Sequence, residues 1–519
     1  MKKYFYIIII GILFQACGDS FLELYPETNV TSPNFYKTAT HFDQALNAAY
    51  TGVRSIANYG LWLDEMRSDN AFYTIYYGDR GPYNAYEKPC LFIDDEVSAN
   101  TGPIRDRWTV NYQNIARVNT ILDRLESSEL TEAEKSKVTA EALFLRAFYY
   151  FDLVKNWGGV PLNLNEVTSA DQAFLPRSSV EETYAQIVSD LNTAVQIGLP
   201  IPTNFPGENS GRATMGALRM LRAYVNMTKP NPDYTTAETD LKAITQMNYK
   251  LLTNYGDVFN PNNKNHSESI FEAQFTEDGS TSQYSTFAWR LAPKTSNLID
   301  MMGVGGSNYA GTSGGWVVPT QEMVDSYEEG DLRLPASIVS VEGHIEGDNF
   351  YYERIADAKG YVKPAGKEYY YMVKKYFHPP YTYSLRADEN FPIYRYAGAL
   401  LLLAENLVRQ GKNSEALPYI NEVRARAGLS ALGNVTLEDV ANEMRHELAF
   451  ENHRWSDLKR TGFVKQVMTD HGERIKEIHP WVKATNNDGC FIIDDFRMIY
   501  AIPTREIDIN HLLEQNPGY

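Results

Sequence analysis

Three short patterns in this chain have the residue types of reactive sites. Gly311-Thr312-Ser313-Gly314-Gly315 satisfies G-x-S-x-G, the turn that presents a serine nucleophile. Such a turn needs a strand before it and a helix after it. Here a glycine-rich run precedes and Trp316-Val317-Val318-Pro319 follows, so the match is accidental. His446-Glu447 opens an H-E-x-x-H zinc pattern, but Phe450 stands where the second histidine must be. Glycoside hydrolysis needs two carboxylates about 5–9 Å apart; among 66 acidic residues no spacing singles out a pair. There is no P-loop, no C-x-x-C, and no G-x-G-x-x-G after a strand. The chain is therefore expected not to be an enzyme, to have no metal site and to need no cofactor. A structural Ca²⁺ in a loop is left open, although no D-x-[DN]-x-[DN]-G run is present.

The third pattern is Cys17. Lys2 and Lys3 precede an unbroken apolar run from Tyr4 to Phe14, then Gln15-Ala16-Cys17-Gly18. Charge, apolar stretch and small residue in that order are a secretory signal, and the run is too short to span roughly 30 Å of hydrocarbon. A thiol after a small residue at the cleavage point looks like the bacterial lipobox. Residues 1–16 are expected to be removed and Cys17 to be acylated as the first mature residue. Several acyl chains anchor stably, since each buried CH₂ contributes about 0.8 kcal/mol. No later apolar run has membrane length, so the body is expected to be tethered and not threaded.

Composition agrees. The 519 residues are 43% hydrophobic with a mean hydropathy of -0.40, enough apolar content for a large core. A net charge of -18 argues against nucleic acid and anionic lipid surfaces, which call for basic patches. Cys90 and Cys490 can pair in an oxidising compartment but form no disulfide framework. With 36 Tyr and 7 Trp, the aromatic content exceeds ordinary core needs.

The elements read as helices, a loop-rich middle, then helices again. After Ser32-Pro33, Phe42, Leu46, Ala49, Val53 and Ile56 recur at helical spacing as far as Gly60; Trp108 to Leu125 repeat the pattern. Thr131-Glu132-Ala133-Glu134 is a capping-box start for a helix reaching Asn156. Ser178-Ser179 opens a fourth helix, and Thr214 to about Thr228 forms a fifth. Residues 250–390 are rich in Gly, Asn, Tyr and short β-prone pieces such as Ser269 to Phe275. Tyr394–Gln410 and Asn413–Ala427 then pair across Gly411-Lys412, with Leu400, Leu403, Ala404, Leu407, Ala416, Ile420 and Val423 at the packing positions of a tetratricopeptide repeat. Glu141–Val195 and Thr214–Met247 read as diverged versions of such pairs, and Thr436–Lys459 as one more helix.

With those residues in view, the chain resembles the SusD/RagB family of surface lipoproteins. The motifs are Arg146 to Leu153 running into Asn156-Trp157-Gly158-Gly159-Val160-Pro161-Leu162, Gly211-Arg212-Ala213-Thr214, Tyr419 to Gly428, Glu447 to Glu451 with Arg454-Trp455 and Asp457 to Arg460, Ala501-Ile502-Pro503 and Glu514 to Tyr519. The resemblance implies a mainly α, tetratricopeptide-like scaffold with an irregular middle and a few short strands. It implies one SusD-like domain over 17–519, with a helical part at about 30–250, a loop-rich part at about 250–390 and a helical part at about 391–519. It also implies a lipoprotein on the outer face of the outer membrane that captures an oligosaccharide and passes it to a TonB-dependent, SusC-like transporter. A peptide-binding lipoprotein of the same uptake type is the alternative. Trp157 and the cluster Glu447, Glu451, Arg454 and Asp457 read as structure, the latter as an ion-pair face.

Sugars present apolar C–H faces and hydroxyl edges, so their site needs displayed aromatics beside short polar side chains. Two segments have that composition. The first runs from Leu61-Trp62 through Asp64 and Arg67 to Tyr73, Tyr76, Tyr77 and Tyr83; the second holds Trp289, Asn308, Tyr309 and Trp316 around a Gly-rich loop. These are the candidate ligand residues, Trp316 foremost. Asp64 and Arg67, three apart, have each other as the competing partner.

Overall fold

The computed structural model describes residues 35–73, 83–205, 211–277, 283–304, 314–485 and 488–519. The leader, Cys17, Tyr76, Tyr77, Asn308, Tyr309 and Ser313 lie outside them.

Helices α1 (Ala39–Gly60), α2 (Gly102–Leu125), α3 (Glu132–Trp157), α4 (Val180–Ile197), α5 (Met215–Thr228) and α6 (Tyr234–Thr245) come first. After the middle region follow α7 (Tyr396–Arg409), α8 (Asn413–Arg426), α9 (Leu437–Glu447), α10 (Arg454–Thr461) and α11 (Val464–Ile478). Each helix packs on its sequence neighbour from α1 through α8, with α6 against α7 across the inserted middle. That succession of antiparallel pairs is the tetratricopeptide-like scaffold. The seven packing residues of the α7–α8 hairpin are all fully buried, and Gly411 turns the hairpin at φ 74°.

Local signals set the helix ends. Thr131 and Glu134 form a reciprocal cap on α3, and Ser179 and Glu182 do the same on α4; each satisfies backbone N–H groups that a helix start leaves open. Thr214 caps α5. Thr38 caps α1; Ser32-Pro33, read in the sequence as the cap and first-turn pair of this helix, lie outside the described residues. At the end of α3, Gly158 takes φ 73°, while Gly159 faces the Ser178 carbonyl, where a Cβ would come within 2.2 Å. Trp157 is fully buried beneath that turn. Its Nε1 donates to the Ala501 carbonyl at 3.1 Å, and its own carbonyl accepts from Asn516 at 3.1 Å.

The middle region is less irregular than its composition suggests. Strands β1 (Ala71–Phe72), β2 (Ser269–Ala273), β3 (Val318–Pro319), β4 (Ile338–Glu346), β5 (Asn349–Asp357), β6 (Glu368–Val373) and β7 (Phe391–Arg395) form three small antiparallel sheets, β1 with β3, β2 with β7, and β5-β4-β6. The three-stranded sheet covers its own apolar cluster, which includes Val339, Val341, Phe350 and Met372, apart from the main core.

The expected continuous helix from Thr436 to Lys459 is broken between α9 and α10. Phe450 and Asn452 adopt φ 64° and 62°, a conformation that non-glycine residues adopt only when held. Glu65 holds them, its carboxylate accepting the Phe450 N–H at 2.9 Å and the Asn452 N–H at 3.0 Å. Burial pushes Glu65 up to about 7 against those donors.

The Glu447–Asp457 cluster is indeed an ion-pair array, but a buried one. Arg395 reaches Glu451 at 2.7 Å, Glu268 at 2.9 Å and Glu447 at 2.5 Å. Arg333 bonds Asp331, Glu443 and Glu447, and Arg454 bonds Asp69. Burial alone would raise Asp69 and Glu447, yet Arg445 and Arg454 hold the first below the ordinary carboxylate range, as Arg426, Arg395 and Arg333 hold the second. Burial also lowers His471 to about 4 and His446 well below its usual value. Groups depressed in the folded chain lend stability above their unfolded pKa values and lose it as pH falls. The melting temperature is therefore expected to fall below about pH 6.5 as the histidines are forced to charge, and more steeply below about pH 4.5 as the carboxylates follow. Glu65, Glu422, Glu443 and Glu506, all raised by burial, act in the opposite sense, but the lowered carboxylates and histidines outnumber them. Calorimetric melts across pH 3–8 test this; a constant melting temperature down to pH 4 would exclude it.

Candidate functional site

The β1–β3 ladder joins the two aromatic segments. Its register sets Phe72 opposite Val318 and Ala71 opposite Pro319, so Tyr73 and Trp316 leave the ladder side by side with ring centroids 6.4 Å apart. The Gly315 N–H donates to the Ala292 carbonyl at 2.8 Å and the Trp316 N–H to Arg290 at 3.4 Å, tying the loop to the short helix Phe287–Leu291. Gly314, at φ 142°, sits so close that a Cβ would meet the Ala292 oxygen at 2.3 Å. Val317 is fully buried at φ 51°, a rare conformation for a β-branched residue. Backbone strain at this point marks a conformation held by its surroundings.

Around Trp316 an arc of rings continues. Tyr86, from the turn Tyr83–Glu87, lies 5.3 Å from it and 4.8 Å from Trp62; the Arg290 guanidinium covers Trp62 at 4.7 Å. On the other side Tyr73 meets Trp481 at 5.9 Å. Trp316, Tyr86 and Trp481 are half-buried, so each combines a fixed ring with open surface. Polar groups flank them. Arg105 pairs with Asp106 at 2.7 Å. The half-buried Tyr59 has its phenol raised by burial and by Asp106 and Tyr86. Arg290 is lowered by burial despite Tyr86 and Tyr59. The Trp62 Nε1 is buried and makes no hydrogen bond within the described residues. Rings beside phenol, guanidinium and carboxylate groups suit a ligand with alternating apolar and hydroxyl edges.

Several candidates are placed elsewhere. Asp64 and Arg67 do not bond each other. They lie in and just after a helical extension of α1, Leu61–Glu65, instead of a displayed loop. Asp64 bonds Arg107 at 2.7 Å and Arg67 bonds Asp94 at 2.9 Å, all of them buried. Trp289 is fully buried in the cluster under the three-stranded sheet, 5.9 Å from Tyr381, with Nε1 donating to Arg386 at 3.4 Å. No ligand can lie against it without unpacking that core. Tyr73 is only 2% exposed and supports the arc from below, its hydroxyl donating to Glu87 at 3.2 Å. The Tyr83 backbone belongs to the turn that carries Tyr86.

Sequence reasoning missed Tyr86 and Trp481. The sequence signal for Trp481 is His479-Pro480-Trp481, an aromatic set at a proline-started turn after the amphipathic α11. Tyr86 had no comparable signal. Cys90 and Cys490 are both buried and not joined. Among the described residues no group of three or more His, Cys, Asp or Glu is arranged for a metal, and no helix is long and apolar enough to cross a membrane.

Comparison with known proteins places the whole. A sequence model of the SusD family matches residues 267–519, and one described as starch-binding associating with outer membrane matches 20–204. SusD-like protein P38 of Formosa agariphila is 27% identical, over 90% of this chain and 94% of that protein. The starch-binding protein SusD of Bacteroides thetaiotaomicron is 26% identical, over 78% of this chain and 76% of its own. A solved laminarin-binding SusD-like protein superposes with a TM-score of 0.72 at 25% identity, covering 93% of this chain and all of that one. With both halves matched by the family's sequence models and the helical-pair architecture shared along the chain, this protein belongs to the SusD/RagB family.

Proposed function

We propose that this protein is a surface glycan receptor, anchored through Cys17 on the outer face of the outer membrane, which captures an oligosaccharide and hands it to a SusC-like TonB-dependent transporter without cleaving it. The observation that carries the reading is the arc of Trp316, Tyr86 and Trp481, three half-buried rings from distant segments with Tyr59, Arg105 and Asp106 among the polar groups beside them. Relatives whose names give laminarin or starch as ligand support it, as does the signal-like start of the chain. Residues 17–519 act in this reading as one unit, the helical pairs holding the loops of the middle region.

The test is calorimetric titration of the soluble body, without residues 1–17, against laminari-, malto- and mannan-type oligosaccharides and a peptide mixture. Saturable binding of one glycan class supports the reading, binding of peptides alone replaces it with the peptide receptor, and sustained product release refutes the non-catalytic role. Gly314→Ala is expected to weaken glycan binding roughly 5-fold and to lower the melting temperature by a few degrees, because relieving the clash with the Ala292 carbonyl displaces the backbone that carries Trp316. Unchanged affinity in that variant would remove the Gly314–Ala292 contact from the account.

A further inference from the structure

A second site lies away from the arc, in a cleft of about 720 Å³, open mouth included, where α3, α5, β7 and α10 converge. One wall is a set of rings: Tyr224 stacks on Tyr394 at 5.6 Å and on His453 at 6.1 Å, with Phe148 and Phe151 also facing the space. The strongly charged groups of the lining are largely answered within the protein. Arg107 is held by Asp64 at 2.7 Å and Asp152 at 2.6 Å, and Arg460 by Glu405 at 2.7 Å and Asp457 at 2.6 Å.

Three lining groups are not answered. The Tyr224 hydroxyl, on a residue 6% exposed, and the Asn452 Oδ1 are buried without a hydrogen-bond partner. The Lys155 ammonium lies 4.9 Å from the Phe151 ring and has no hydrogen bond or ion pair among the described residues. Its pKa is lowered by burial against the pull of Asp152 and Asp64. A buried polar atom without a partner is a standing cost to the fold, and phenylalanine would fill the Tyr224 site without stranding a hydroxyl. The unanswered set contains both donors and an acceptor beside apolar ring faces. Asp64, Asp152 and Asp457 line the same space and oppose a free anion.

We propose that this cleft is a binding pocket for one neutral polyol ring of monosaccharide size, its C–H face on Tyr224 and Phe151 and its hydroxyls on Lys155, the Tyr224 hydroxyl and the Asn452 carbonyl. It is independent of the aromatic arc and of whatever binds there.

The test is calorimetric titration of the full chain in detergent with D-glucose, D-galactose, D-mannose and D-xylose, and with inorganic phosphate as the anionic probe. At least one sugar is expected to bind saturably in the millimolar range. Tyr224→Phe should weaken it about 3- to 10-fold, the worth of one hydrogen bond, and Lys155→Met should weaken it at least as much. Trp316→Ala should leave it unchanged. Tyr224→Phe removes no hydrogen bond made within the protein, so it keeps the fold, which circular dichroism checks. The pocket is refuted if no sugar saturates, if both variants bind as the parent does, if Trp316→Ala abolishes the binding, or if phosphate binds in place of the sugars.

Discussion

Trp316→Ala is expected to weaken oligosaccharide binding about 30-fold or more while leaving the melting temperature within a degree or two, a loss of at least 2 kcal/mol typical of a central aromatic anchor. Trp316 combines an open face with a fixed base: Tyr73 and Tyr86 pack against it, and its backbone is tied to Arg290. Removal takes away the middle of the arc and leaves Tyr86 and Trp481 without a continuous surface between them. Trp481→Ala, at the end of the arc, should cost less. Trp289→Ala supplies the contrast, because that ring is fully buried; its truncation should cost about 3–5 kcal/mol of stability. A Trp316→Ala protein that binds its glycan as tightly as the parent would show that the ligand lies elsewhere on the surface.

Arg395→Leu is expected to destabilise the fold by about 3–5 kcal/mol, the effect of removing one partner from a buried ion pair. The guanidinium bonds Glu268, Glu447 and Glu451 at once, and every side chain in the group is 1% exposed or less. Removing it strands negative charge in a site that water cannot reach. Lysine should recover only part of the loss, since an ammonium cannot span three carboxylates as a planar fork does. The stranded carboxylates should take up protons more readily, so the variant's deficit should shrink from pH 8 to pH 5. Denaturant midpoints of parent, Arg395→Lys and Arg395→Leu at both pH values test this. A deficit that stays constant with pH would mean that the lost stability is packing and not charge.

What was legible in the sequence was what neighbours in the chain decide. Thr131 with Glu134 and Ser179 with Glu182 announce helix starts because each cap closes within three residues. The α7–α8 hairpin was readable from its small and large residues. The break at Phe450 and Asn452 was not, because its cause is Glu65, 385 and 387 positions earlier. The same limit applies to the candidate site. Asp64 and Arg67 stand three apart, yet their partners are Arg107 and Asp94, supplied by packing. Trp289 follows a Ser- and Thr-rich run and Trp316 a Gly-rich one, and neither shows a core period in sequence; the position of the three-stranded sheet decides which is covered. Tyr86 and Trp481 join the arc because β1 pairs with β3, a ladder of two residues too short to announce itself.

The tie between Trp157 and residues near 500–519 has a bearing on how the protein is made. The carbonyl that ends α3 accepts from Arg177 at 3.4 Å but takes its shorter bond from Asn516, 359 positions later, and Tyr519 closes on Asp94 and Ile499. A chain emerging from a ribosome therefore lacks this tie on its first half until Asn516 has been made. Chains cut short of Asn516 leave the end of α3 without that partner.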